Sequence, residues 1–356
     1  MKTYLVSIVS QQTLPNYLLI KEFFDEVDIF LFISSEEMDR AGKTDDLVQT
    51  ARIPKHKKRK VHIEEDQYFR AHQRLDRMHL PPDAEYRVNL TGGTKMMAIA
   101  VREYFEKFPH VRFFYVPVDK NIYKEIHDDR RSDIYPFRYR LGVDEYLSIY
   151  GMRGEASKLY LDETEALDIY NDVRSTGYDL ERFPLKKLRK FIPHWEINRQ
   201  LYTKWFEEYL YYRIRGHLQL DEKFIATGLK LYSKIHRHET PLPDYAHQND
   251  NEVDVFFVYE NRPYSIEAKF SVGKDEVNMD TLNNALFKLS AVNRRFGLNI
   301  YSTIMTLSDL GSLDEQARWH LKRRCHILGL HYPFDRHDIH ERFARRLQAF
   351  IDKRQE

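Results

Sequence analysis

Cysteine is nearly missing: Cys325 is the single one among 356 residues. One thiol cannot close an intramolecular disulfide, so a disulfide-stapled scaffold is excluded and a reducing cytoplasm is the expected setting. No run of about 18 apolar residues occurs, so no membrane span is expected. The apolar start runs into Ser10, Gln11 and Gln12 and then Pro15 and Asn16, too short a stretch for a secretory leader. An excess of one charge is lacking as well. Lys and Arg number 56 against 55 Asp and Glu, a net +1, whereas proteins that coat nucleic acid are more basic. Tight Cys–His pairs that would hold zinc are missing. The groups His236 with His238, and His326, His331, His337 and His340, therefore read as surface or hydrogen-bonded histidines, and His247 carries no assignment. No GxxxxGK[ST] phosphate loop occurs, nor any repeat or low-complexity tract.

What is there suffices for two cores. The chain is 42% hydrophobic and 31% charged, a composition that folds. Its length suggests two domains at roughly 150 residues each. Two basic runs, RIPKHKKRK (52–60) and KKLRK (186–190), read as solvated loops when taken singly, or as phosphate-attracting surface. Up to about residue 120, short β-rich runs (4–10, 28–34, 60–63, 86–90, 112–118) alternate with helical spacing at 15–26, 64–78 and 94–108. This α/β alternation predicts a parallel sheet, with ligands at the carboxyl ends of its strands. From about 120 to 195 the pattern is charged and mostly helical, read as a connector. Beyond it come an aromatic helix (199–218), strands at 253–259 and 264–270, a helix at 279–296, a strand at 299–307 and helices at 313–324 and 339–353. Core packing accounts for the aromatic residues of the first of these helices better than base stacking does.

The first motif is Asn89-Leu90-Thr91-Gly92-Gly93-Thr94-Lys95, which leaves a strand and opens a helix. Glycines allow positive φ and close approach, Thr94 suits an N-cap, and helix-start amides attract anions. Ser10 to Asn16 leave the first strand at the same sheet edge. Two ordinary turns would also satisfy these residues. Together, YLVSIVS with QQTLPN and NLTGGTKMM resemble the CRISPR-associated Rossmann-fold (CARF) domain. The resemblance implies a Rossmann-like sensor of cyclic oligoadenylate over residues 1–140. It implies a homodimer and cyclic tetra-adenylate as the usual activator. Ser10, Gln12, Asn16, Thr91, Gly92, Gly93, Thr94 and Lys95 would line that site.

The second motif is Asn251-Glu252-Val253-Asp254 followed by Ser265-Ile266-Glu267-Ala268-Lys269, separated by a turn at 260–263. A four-residue loop pairing Tyr259 with Tyr264 would set Asp254 opposite Lys269 and Phe256 opposite Glu267. Alternation then places Asp254, Glu267 and Lys269 on one face. Paired carboxylates suit Mg²⁺ or Mn²⁺, and a nearby Lys can stabilise a developing anion. Phosphodiester hydrolysis is the chemistry suggested. A hairpin with a wet, charged face is the plainer alternative.

This hairpin resembles the PD-(D/E)XK nuclease superfamily, and in detail the CRISPR ancillary nucleases that fuse CARF to such a domain. Lys204-Trp205-Phe206-Glu207-Glu208-Tyr209 matches their upstream helix, which makes Glu207 the helical acid. The Gly usual before that Trp is absent, so Glu208 remains an alternative. Val253 stands where the superfamily name has proline. The resemblance implies a restriction-endonuclease-like α/β domain over 196–356 beyond a helical connector (141–195). In it Glu207, Asp254 and Glu267 would hold metal and Lys269 would assist attack on DNA or RNA. Two other functions fit the residues: a ligand-responsive DNA-binding regulator with a winged helix in the connector, or a constitutive repair or restriction-type nuclease.

Overall fold

The computed structural model describes residues 1–127, 131–178, 201–233, 251–271, 277–297 and 300–352. The basic run 186–190, His236, His238, His247 and the boundary expected near 195 lie outside the described residues. Met1–Arg153 build one compact unit; Gly154–Tyr232 and the described residues from 251 onward build another. No helix among the described residues is long and apolar enough to cross a membrane.

The first unit centres on a sheet of β1 (Thr3–Ile8), β2 (Ile29–Ser34), β3 (Lys58–His62), β4 (Glu85–Asn89), β5 (Val111–Tyr115), β6 (Ile122–Ile126) and β7 (Ser132–Pro136). Their order is β3-β2-β1-β4-β5-β6-β7. The pairs from β3 through β5 are parallel, and β6 and β7 are antiparallel. Helices α1 (Leu14–Glu22), α2 (Glu36–Arg40), α3 (Lys43–Ala51), α4 (Tyr68–Asp76), α5 (Lys95–Glu106) and α6 (Val143–Ile149) accompany them. β1 and β2 are apolar nearly throughout, as strands covered on both faces must be. Val6, Ile8, Leu31 and Val88 share one core with Ala71 and Leu75 of α4 and Val101 and Phe105 of α5.

Three expectations change here. The stretch after 120, expected to be mostly helical, holds the β6–β7 hairpin, which extends this sheet. β6 carries Lys124 and Glu125 in its middle, the buried Glu125 paired with Arg112, and this charge hides its strand pattern. Residues 52–60 are not simply a loop, since Lys58–Lys60 start edge strand β3, where Lys58 pairs with Asp45 and Lys60 with Asp39. The short helices α2 and α3 were not expected; Ser35 caps the first by accepting from the Met38 amide.

The second unit has a sheet ordered β12-β11-β10-β9-β8, from β8 (Met152–Glu155), β9 (Ile225–Ser233), β10 (Asn251–Tyr259), β11 (Arg262–Lys269) and β12 (Tyr301–Thr306). β9, β10 and β11 are antiparallel, and β12 returns parallel to β11. Helices α7 (Glu163–Ser175), α8 (Leu201–Leu218), α9 (Met279–Asn293), α10 (Glu315–Leu328), α11 (Arg336–His340) and α12 (Phe343–Ile351) surround it. Trp205, Phe206, Tyr209, Leu210 and Ile214 of α8 are buried with Val255, Phe257, Ile266 and Ala268. α7, which falls in the expected connector, packs in this same core through Ala166, Ile169, Tyr170 and Val173. The helix expected at 339–353 is two shorter ones, α11 and α12.

The hairpin turn differs from the expected four-residue loop. Phe257 pairs with Tyr264 and Tyr259 with Arg262, leaving only Glu260 and Asn261 between the strands. Both have positive φ, 48° and 61°, the backbone of a tight primed turn. Continued, this register sets Asp254 against Glu267 rather than Lys269. A shift of two leaves every side chain on its face, so the shared face of Asp254, Glu267 and Lys269 survives.

Candidate functional site

Two clusters of polar residues stand out, one in each unit. In the first, the strand order turns both ways from β1 and β4, so their carboxyl ends form the switch point where such sheets bind ligands. The loops after both strands meet there. Asn16 is buried; its Nδ2 donates to the Ile8 carbonyl (2.9 Å) and its Oδ1 accepts from Asn89 Nδ2 (2.6 Å). The Asn89 Oδ1 accepts from the Thr91 amide and hydroxyl (3.0 and 2.6 Å), and the Thr91 hydroxyl accepts from the Val116 amide (2.8 Å). Asn16 and Thr91 thus spend their polar groups tying β1, β4 and the end of β5 together. A Cβ on Gly92 would stand 1.9 Å from the Ile8 carbonyl oxygen, and Gly93 has φ +74°; only glycine passes there without strain. Thr94 caps α5 by accepting from the Met97 amide and donates to the Glu65 carbonyl.

Of the eight expected ligand residues, Gly93, Thr94 and Lys95 are exposed, Ser10, Gln12 and Thr91 are half-buried, and Asn16 and Gly92 are buried. Asn89, buried and central to the network, was not singled out, although it opens the NLTGGTK signature. Beside this edge lies a cavity of about 920 Å³ lined by Ser35, His62, Glu64, Thr94 and Lys95 among others. Glu36, Glu37, Glu65 and Asp66 also face it. A phosphate would be repelled by that wall, so the anion-friendly part is the rim at Thr94 and Lys95.

In the second unit, α8 leans on the hairpin through Trp205, which meets Phe270 at 5.2 Å between ring centroids. This directs Glu207 towards β10 and β11. Glu208 turns away: its carboxylate accepts from the Tyr160 and Leu161 amides. Glu207 is 8% exposed and receives no hydrogen bond among the described residues. Of the two, Glu207 is the acid free to act. Asp254 Oδ2 accepts from the Ala268 amide at 2.7 Å. Glu267 is buried and holds two ammonium groups, Lys269 at 2.6 Å and Lys288 of α9 at 3.1 Å. Lys204 pairs with Glu252 at 3.3 Å.

Burial, then the neighbouring Asp254 charge, raises the Glu207 carboxyl above its ordinary range. Burial, then Glu267, does the same to Asp254. Burial alone would lower Lys269, but Glu267, Asp254 and Glu207 outweigh it and keep the ammonium charged. Like charges held in a poorly solvated place at this cost usually mark a working site. Gly228 on β9 stands between Thr227 and Leu229, which pair with Val255 and Val253 on either side of Asp254. With φ +53°, a Cβ there would meet Ser157 Oγ at 2.4 Å and Lys204 Nζ at 3.0 Å.

The three carboxylates are not a ready-made metal cage. Among the described residues, no three His, Cys, Asp or Glu side chains are grouped to hold an ion. Lysines occupy Glu267, and a backbone amide takes one oxygen of Asp254. The donor chemistry nevertheless fits a hard divalent cation, because the side-chain oxygens of Glu207, Asp254 and Glu267 are carboxylates whose repulsion the lysines offset only in part. Lys288, Lys204 and Gly228 were not anticipated. A glycine inside a strand pattern was the one available signal. His331 is buried against Phe334 and Phe350, as a core histidine would be.

Residues 4–146 match the family model of the Card1 CARF domain, so the N-terminal region carries a CARF domain. Protein VC1899 from Vibrio cholerae superposes with TM-score 0.71 at 15% identity, covering 98% of both chains. Can2 from Sulfobacillus thermosulfidooxidans, solved with cyclic tetra-adenylate, superposes with TM-score 0.69 at 19% identity, covering 98% of this chain and 99% of that one. A type III CRISPR defence DNA nuclease activated by cyclic oligoadenylate gives TM-score 0.59 at 15% identity, over 86% of this chain and 45% of that one. At these identities the likeness concerns the fold. No curated protein matches the chain.

Proposed function

We propose that this chain is a metal-dependent nuclease of type III CRISPR defence, activated by a cyclic oligoadenylate and working as a homodimer. The observation that carries the reading is the cluster of Glu207, Asp254, Glu267 and Lys269. It holds two carboxyls, Glu207 and Asp254, above their ordinary range beside a third acid and a lysine, in a unit joined to a CARF domain. Solved relatives of the same fold, one holding cyclic tetra-adenylate and one described as a nuclease activated by cyclic oligoadenylate, support it.

In the first unit, Ser10, Gln12, Thr94, Lys95 and the Gly93 amide face the ligand, while Asn16, Thr91 and Gly92 hold the two loops in register. A two-fold axis would present these loops twice to a symmetric ring. The second unit is a restriction-endonuclease-like PD-(D/E)XK domain in this reading. Glu207, Asp254 and Glu267 would hold Mg²⁺ or Mn²⁺. Such an ion, when bound, supplies an acidified water and charge neutralisation at a phosphate. The Ala268 amide orients Asp254, and the Lys269 ammonium stands ready for charge developing on a phosphate oxygen. Lys288 shares Glu267 and has to give it up when an ion is held.

Plasmid and single-stranded DNA or RNA incubated with Mn²⁺, with and without cyclic tetra-adenylate, test the reading. Cleavage that needs the cyclic nucleotide is expected. Cleavage indifferent to it would leave a constitutive nuclease, and no cleavage in any arm would leave a binding protein. Glu267→Gln must abolish the activity.

A further inference from the structure

The Lys288 side of the carboxylate cluster leads to a surface without a role in the chemistry above. α10 buries only Leu321 and Cys325. Its other faces meet water and carry Arg318, Lys322, Arg323 and Arg324 against a single acid, Glu315. None of these four cations forms an ion pair among the described residues. Trp319 is 54% exposed, and Phe287 on α9 is 53% exposed. Two large rings left in water, one on each of two packed helices, mark an interaction surface rather than ordinary exterior. The Arg323 guanidinium lies over Trp319 at 5.1 Å from its centroid, and Arg324 over Phe287 at 6.0 Å. Phe287 directly precedes Lys288, which reaches Glu267 at 3.1 Å. Lys288 and Phe287 thus adjoin on α9, Arg324 joins Phe287 to α10, and Arg323 and Trp319 pair one turn apart on the exposed side of α10.

We infer that this α9–α10 face is a stacking platform that takes an unpaired nucleic-acid strand and leads it to the Glu267 cluster. The inference rests on the nuclease reading and names its substrate form. Bases of an unpaired strand expose their faces and stack on Trp319 and Phe287. Its phosphates meet the four cations of α10. A duplex offers phosphates but hides its base faces, so it would use only half of this surface. A second copy of the chain fits poorly, because a two-fold contact would bring these cations against themselves.

The test uses the full chain in EDTA, which prevents cleavage, with or without cyclic tetra-adenylate. The probe is a fluorescein-labelled strand of about 20 nucleotides, longer than a typical single-strand site, compared with the same sequence as a duplex. Trp319→Ala should weaken strand binding roughly tenfold and duplex binding far less. Arg323→Gln should lower the slope of log affinity against log salt by about 0.7. Both variants should melt as the wild type does, since neither side chain is buried. If the wild type cleaves nucleic acid but both variants bind the strand like it, the platform is rejected and the nuclease stands. A wild type that binds no strand under either condition rejects both. Loss of the dimer by Trp319→Ala, with strand binding unchanged, would assign the face to a second copy and overturn the proposal.

Discussion

At the scale of single residues, Glu207 and Glu208 show how two neighbours of one type come to different ends. Glu208 is consumed by the amides of Tyr160 and Leu161, while Glu207 is left facing Asp254 with a raised pKa. Both Glu207 and Asp254 titrate higher in the folded chain than in the unfolded one. Their protonated forms therefore favour folding, and stability from this pair falls as pH rises above the ordinary carboxylate range, roughly pH 4. In EDTA the wild type should melt at a lower temperature at pH 8 than at pH 6. Glu207→Gln should melt higher at pH 8 and flatten that slope, and an unchanged slope would contradict the assignment. Lys269→Ala should cut cleavage by roughly a hundredfold, and should lower the melt as well, because buried Glu267 then keeps only Lys288. Equal rates for Lys269→Ala and wild type would remove Lys269 from the reaction.

At the scale of elements, the two-residue turn and the glycines of the first unit make the sharpest predictions. Glu260 holds φ 48° without the tolerance of Asn or Gly. Glu260→Asn should therefore stabilise the chain by about 0.5–1 kcal/mol, read from the denaturation midpoint. Gly92→Ala would drive a methyl into the Ile8 carbonyl. It should abolish binding of cyclic tetra-adenylate in calorimetry, and intact binding would show that the two loops need not touch. Most strands buried on both faces, such as β1 and β2, and helices with one apolar stripe, such as α5, were legible in the sequence. β6 and β7 were not, because this hairpin at the sheet margin carries charge inside its strands, Lys124 and Glu125 in β6 and Asp133 in β7. β9 was hidden by Gly228. The shared face of Asp254, Glu267 and Lys269 could be read without the right turn, because parity alone decides it. Lys288 could not, since it arrives from a helix that only packing brings to Glu267.

At the scale of the whole molecule, the proposed ligand site and the carboxylate cluster belong to different units, so the proposed control is a coupling between two separate sites. A ring that shifts the balance from 1:99 to 99:1 must prefer the active state by about 5.5 kcal/mol. By reciprocity, catalytically idle substrate held in EDTA should tighten binding of cyclic tetra-adenylate by the same factor that the ring tightens substrate binding. Calorimetric titrations in both orders check this, and unequal factors would show that the two sites are not linked through one equilibrium. The tight turn at Glu260 and Asn261 has a kinetic side too. Asp254 and Glu267 are joined through contacts of short sequence separation, of the kind that zips within roughly 1–10 μs. β12 must wait for the α9 crossover before it can pair in parallel with β11. Asp254 and Glu267 thus meet with only Lys269 of the same hairpin to offset their repulsion before Lys288 arrives, so this hairpin should form later in refolding than its length suggests, and sooner in mild acid.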